Sequence, residues 1–186
     1  MGHGARDRIV RAIDALSERS GRAVAWLLSL LILICSFNAI ARWGGRFIGV
    51  NLSSNVYLEL QWYLFAAVFL LGGATTLKHG AHVRVDVLHD RFPPRVRRAI
   101  EHAGTWLLLI PFCAFLVWIS IDPVLHSIEL REDSPDPGGL PRWWVKPLIP
   151  LGAALLLLQG VAEGLRRRDA HASTATPPTA EPETRL

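Results

Sequence analysis

"SSNVYLELQWYLF", Ser53 to Phe65, sets a carboxylate, Glu59, and an amide, Gln61, at the mouth of a segment that then runs apolar as far as Leu77. A stretch of 21 residues from Tyr57 to Leu77 rises about 30 Å as a helix, the thickness of a hydrocarbon core. Polar groups at the entrance to such a segment are costly unless they are engaged, so they mark a contact or a function. Residues two apart on a helix point about 200° from each other. Glu59 therefore shares a face with Trp62, Tyr63, Ala66, Leu70 and Gly73, and Gln61 with Phe65, Val68, Gly72 and Thr76. With Gly72-Gly73 allowing close approach, this helix is expected to pack against two protein surfaces at once. Asn55 is the expected N-cap.

Three further apolar stretches accompany it, giving spans near 23–41, 57–77, 103–121 and 147–165. With 51% hydrophobic and 19% charged residues, the chain is too apolar for an ordinary soluble domain. The fold expected is all-α: four transmembrane helices in one domain over 23–165, with interfacial amphipathic helices. Residues 1–22 read as an interfacial segment, because Ile9, Ile13 and Leu16 recur at helical spacing. A second interfacial helix should start near Pro94. The third span carries Pro111 and is expected to stop at Asp122-Pro123. The end of the chain, 166–186, has the composition of a disordered tail. Ala39-Ile40-Ala41 has the form of a signal-peptidase site, but the apolar core before it is longer than most such regions, so the segment reads as a span.

Fifteen of the 20 Lys and Arg fall in the N-terminal segment, the second loop and the tail. Positive loops stay cytoplasmic, so both termini and the second loop are expected there. The net charge of +4 then faces anionic lipid headgroups, with Arg84, Arg95, Arg97 and Arg98 as membrane-surface anchors, and no nucleic-acid partner is needed to explain it.

The polar residues exclude several functions. No Asp, Glu, Lys or Arg lies in the middle of a span, which disfavours a self-sufficient proton-coupled carrier or small homo-oligomeric transporter. All seven histidines lie at or beyond span ends, unsuited to a haem held between helices, which weighs against a haem- or quinone-associated anchor of an oxidoreductase. No phosphate loop or nucleophile motif occurs, so neither catalysis, a cofactor nor a metal is expected. Cys35 and Cys113 lie within spans without ligand spacing. Gln159 and Glu163, four apart in the last span, either join helices inside the bundle or reach to the interface.

Taken together, Ser54-Asn55, Leu58 to Phe65, Gly72-Gly73-Ala74 and "HVRVDVL" from His82 to Leu88 resemble the small membrane subunit of tripartite ATP-independent periplasmic (TRAP) transporters. Asn38-Ala39 with Arg42, and "GGLPRWWVKPLIP" followed by Leu158-Gln159-Gly160, resemble its mannitol and chloroaromatic branch. The likeness covers about Val24 to Glu163. It implies a multi-pass protein of the bacterial inner membrane that serves as a fixed scaffold. Its implied partners are a large multi-span permease subunit and a periplasmic solute-binding protein, together importing an organic acid or related solute. On that reading Glu59, Gln61, Trp62, Gly72, Gly73 and Gln159 are the subunit-interface candidates, and the acidic outer loop from Ser127 to Trp144 is a contact for the binding protein.

Overall fold

The computed structural model describes residues 3–49, 54–80 and 93–174. Helix α1 spans His3–Ile48 and α2 spans Asn55–Lys78; α3, Pro94–Ala103, continues through a π-helical turn, Gly104–Leu109, into α4, Ile110–Glu129. A short 3₁₀ turn, Arg142–Trp144, precedes α5, Leu148–Thr174. Among the described residues, four helical stretches are long and apolar enough to cross a membrane: Arg6–Phe47, Asn55–Lys78, Ala99–Glu129 and Arg142–Arg166.

Helix α5 is the hub. It packs against α1, α2 and α4, while α1 also packs against α2. The most apolar stretch of α5 is 39% buried, against 11–17% for the other three. Small residues explain this, because they let backbones approach where lipid supplies no hydrophobic drive between helices. A Cβ at Gly152 would stand 2.6 Å from the Leu70 carbonyl oxygen of α2. Gly160 and Gly164 receive Leu109 and Trp106 of the π turn, and Ala162 is fully buried. On α2, Gly73 faces Leu156 of α5 and Gly72 faces Val24 of α1. The two surfaces expected around α2 are thus met inside this chain, by α1 and α5.

The boundaries differ from expectation in ways that backbone chemistry explains. Ser54, not Asn55, caps α2: its side chain accepts from the Val56 N–H, and Asn55 becomes the first helical residue. Helix α1 passes Arg22 without a break, since the lone Gly21 serves as the seat for Thr75 of α2 rather than as a breaker. The helix expected near Pro94 begins there but does not stand apart; it runs unbroken into the third span. Pro111 has no N–H to give the Leu107 carbonyl, and the helix answers with the wider π turn just before it, closed by the Ile110 N–H on Thr105 O. The third span does not stop at Asp122-Pro123. Pro123 lies inside α4, which reaches Glu129, and nearby Ser120 turns its hydroxyl back onto the carbonyls of Leu116 and Val117. Helix α5 carries on to Thr174, past the expected start of the tail; 175–186 lie outside the described residues.

Candidate functional site

The polar residues gather at the two ends of the bundle. At the end where α1 begins and α5 ends, Ser17 on α1 is 1% exposed and Gln159 on α5 is 0% exposed. The Ser17 hydroxyl donates to Gln159 Oε1 at 2.7 Å, and Gln159 Nε2 donates to Asp14 Oδ1 at 3.2 Å. Arg166 then bridges Asp14 at 2.6 Å and Glu163 at 3.0 Å. From α2, the Thr75 hydroxyl donates to Ser17 O at 2.6 Å, and Lys78 pairs with Glu18 at 2.6 Å. Farther out, Arg6 donates to the Leu165 carbonyl at 2.7 Å. One network thus locks three helices, with each amide and hydroxyl satisfied as burial demands. The N-terminal segment turns its polar side inward, and Ile9 and Leu16 are left 50% and 42% exposed.

At the opposite end Glu59 holds the α4–α5 loop. Its carboxylate accepts from the Ser134 hydroxyl and the Leu140 N–H. Tyr63 donates to Leu140 O and Asn55 to Pro137 O, both at 3.0 Å. Only glycine fits beneath this clasp: a Cβ at Gly139 would stand 2.6 Å from Glu59 Oε2, and Gly138 has a φ of +72°. Within the loop, Glu132 accepts from Ser127 and pairs with Lys146. The Lys146 ammonium, then the Ser127 hydroxyl, hold the Glu132 carboxyl below the usual carboxylate range. No group of three or more His, Cys, Asp or Glu is arranged to hold a metal among the described residues.

The interface candidates therefore separate. Gln159 is wholly internal, Gly72 and Gly73 seat neighbouring helices of the same chain, and Glu59 is engaged by its own loop. Trp62 is 76% exposed, and with Phe65 and Phe69 it makes an uncovered aromatic stripe along α2. Gln61 turns toward α1, beside Asn38 and Arg42. Arg95, Arg97 and Arg98 lie on α3, where Arg97 pairs with Glu101 at 3.7 Å; Arg84 lies outside the described residues. Sequence reasoning missed Asp14, Ser17, Thr75, Lys78 and Arg166. The signal for Ser17 was its place in Asp14–Ser17–Gly21, a small and polar strip at helical spacing whose centre is turned about 120° from Ile9 and Leu16.

An apolar bundle whose polar networks lie at its two ends is built as a membrane component. The family described as "Tripartite ATP-independent periplasmic transporters, DctQ component" matches residues 45–169. The chain is 26% identical to the ectoine TRAP transporter small permease protein TeaB of Halomonas elongata, over 93% of this chain and 88% of that one. It is 24% identical to the isethionate TRAP transporter permease protein DctMQ of Oleidesulfovibrio alaskensis, over 87% of this chain but 25% of that protein. The protein is a transporter component of the inner membrane rather than an enzyme, and it belongs to the DctQ family of TRAP small permease subunits.

Proposed function

We propose that the chain is the fixed scaffold of a TRAP-type secondary importer, working with a large multi-span permease subunit and a periplasmic solute-binding protein to bring in an organic acid or related solute. The observation that carries this reading is the pair of clamps: the polar residues of α1, α2 and α5 near the span ends are spent on holding this chain's own helices and loop. A moving, ion-coupled carrier needs polar groups free to bind and release inside the membrane. The DctMQ relative supports a large partner, since this chain matches only 25% of it. The two relatives are named for different solutes, ectoine and isethionate, which favours selectivity residing in other chains.

The excess of Lys and Arg supports a cytoplasmic side for the N-terminal segment, the α2–α3 connection and the tail. There α3, with Arg95, Arg97 and Arg98, together with Arg84, anchors the bundle against anionic headgroups. The Trp62–Phe65–Phe69 stripe is the face assigned to the large subunit, with Glu59 and Gln61 fixing the outer end of α2 so that the stripe is presented rigidly. The loop clasped by Glu59 faces the periplasm, where the binding protein docks.

The test is uptake in vesicles containing the large subunit and supplied with binding protein, prepared with and without this chain. Uptake that depends on the chain supports the proposal. Equal uptake in its absence sinks it.

A further inference from the structure

Between α1 and α2, at the end away from the chain termini, lies a cleft of about 410 Å³ lined by Asn38, Arg42, Trp43, Arg46, Leu58 and Gln61, among others. Three donor side chains, Arg42, Arg46 and Gln61, line this cleft, and none of them has an acceptor among the described residues. Gln61 Nε2 is buried and has no hydrogen-bond partner. Arg42 and Arg46 are one helical turn apart, on one face of α1. Neither guanidinium has a carboxylate partner among the described residues. A buried amide N–H without an acceptor is costly, and native proteins rarely leave one so. Each arginine offers a planar fork that matches two oxygens of a phosphate or carboxylate.

The depth of the cleft narrows the ligand. Trp43 and Phe47 pack edge to face at 4.8 Å, and Phe37 packs on Tyr57 at 5.4 Å, so aromatic rings ring this level of α1 and α2. Aromatic girdles of this kind sit at the headgroup layer. Below Arg42, on the same side of α1, lies an uncovered apolar surface, with Leu28 43% and Ile32 57% exposed and Cys35 exposed beside them. Charge-assisted donors above and bare hydrocarbon below suit one molecule that carries both parts.

We propose that this cleft is a phospholipid site: Arg42, Arg46 and Gln61 bind the phosphodiester, Trp43 lies at the glycerol level, and the acyl chains run down α1. The site concerns this chain's own residues and stands whether or not the scaffold reading holds.

The test is native mass spectrometry of the full chain, purified in mild detergent with whatever subunit accompanies it. Phosphatidylglycerol, phosphatidylethanolamine or inorganic phosphate is added after delipidation. The expected result is retention of one phospholipid per chain by the wild type, with inorganic phosphate unable to displace it. Occupancy should fall at least tenfold in Arg42→Ala/Arg46→Ala. Gln61→Glu, which sets a carboxylate among the guanidinium groups, should lose the lipid while its melting temperature stays at or above that of delipidated wild type. Arg131→Gln, in the α4–α5 loop and not among the residues lining the cleft, should leave occupancy unchanged. Equal lipid occupancy in wild type and the double arginine variant overturns the proposal. So does displacement by inorganic phosphate alone. A lipid-free wild type whose arginine variant instead sheds an accompanying subunit also overturns it, and assigns the donors to a protein carboxylate.

Discussion

Ser17 and Gln159 are 142 residues apart in sequence, and the hydroxyl of one donates to the amide oxygen of the other at 2.7 Å with both side chains buried. This contact joins the first helix to the last and sits at the centre of the network that also takes in Asp14, Thr75 and Arg166. Interhelical hydrogen bonds in membranes are worth about 0.6 kcal/mol on average and up to about 1.7. Gln159→Leu removes two of them and leaves a buried hydroxyl without its acceptor. It should cost about 1–3 kcal/mol, read as a lowered melting temperature in detergent. Because the pair shares one bond, Ser17→Ala in the Gln159→Leu background should cost less than Ser17→Ala alone.

The clasp on the outer loop answers to a different substitution. Glu59→Gln replaces an acceptor-only carboxylate by an amide, which presents N–H donors toward the Ser134 and Leu140 donors. Amide hydrogen exchange across residues 131–141 should quicken severalfold in this variant while exchange in α5 stays as it was. Unchanged exchange in the loop would show that Glu59 does not hold it.

At Gly152 the prediction is steric. A Cβ there meets the Leu70 carbonyl oxygen at 2.6 Å and Leu70 Cβ at 2.8 Å, contacts with backbone that cannot swing aside. Gly152→Ala should force α2 and α5 apart and destabilise the bundle by about 1–3 kcal/mol. Alanine at Gly44, where a Cβ meets nothing within 4 Å, is the control and should melt like wild type.

Acid should loosen the loop through Glu132. Its carboxyl is held below the ordinary value of 4.5 by the Lys146 ammonium and the Ser127 hydroxyl. A depressed folded-state value means that the unfolded chain binds the proton more readily. The stabilisation is therefore fully present above about pH 4.5 and is lost as the pH falls through the folded value. The difference in melting temperature between wild type and Glu132→Gln should be constant from pH 7 to about 5 and shrink below that. A difference that grows in acid would contradict the assignment.

Much of this fold was legible because hydrocarbon imposes a simple rule: a run such as Tyr57 to Leu77 must be a helix, since no other lone segment satisfies its backbone there. Four spans followed from that rule alone. Their ends were less legible. Pro123 looked like a stop, but it withholds a single N–H, from the Ile119 carbonyl one turn earlier, and a helix in a membrane tolerates that loss. The partner of Glu59 was hidden for another reason. Ser134 and Leu140 lie 75 and 81 residues away, in a loop whose turn residues announce a reversal without saying what it closes on. The centrality of α5 was written in Gly152, Gly160 and Gly164, whose spacing marks close helix approach, yet its polar Gln159 drew attention first. The inward polar strip of α1 was obscured by Ile9 and Leu16, which read as the face that mattered.

A scaffold works only in company, so the composition of the complex this chain forms decides whether it is one. The chain would be tagged at its C-terminus, extracted in mild detergent, and its assemblies weighed intact. A scaffold should come out in a one-to-one complex with a single, much larger multi-span subunit, and should lose that subunit when Trp62, Phe65 and Phe69 are replaced together by alanine while the bundle still melts cooperatively. Recovery of the chain alone or as a homo-oligomer, from membranes that contain the large subunit, would contradict it.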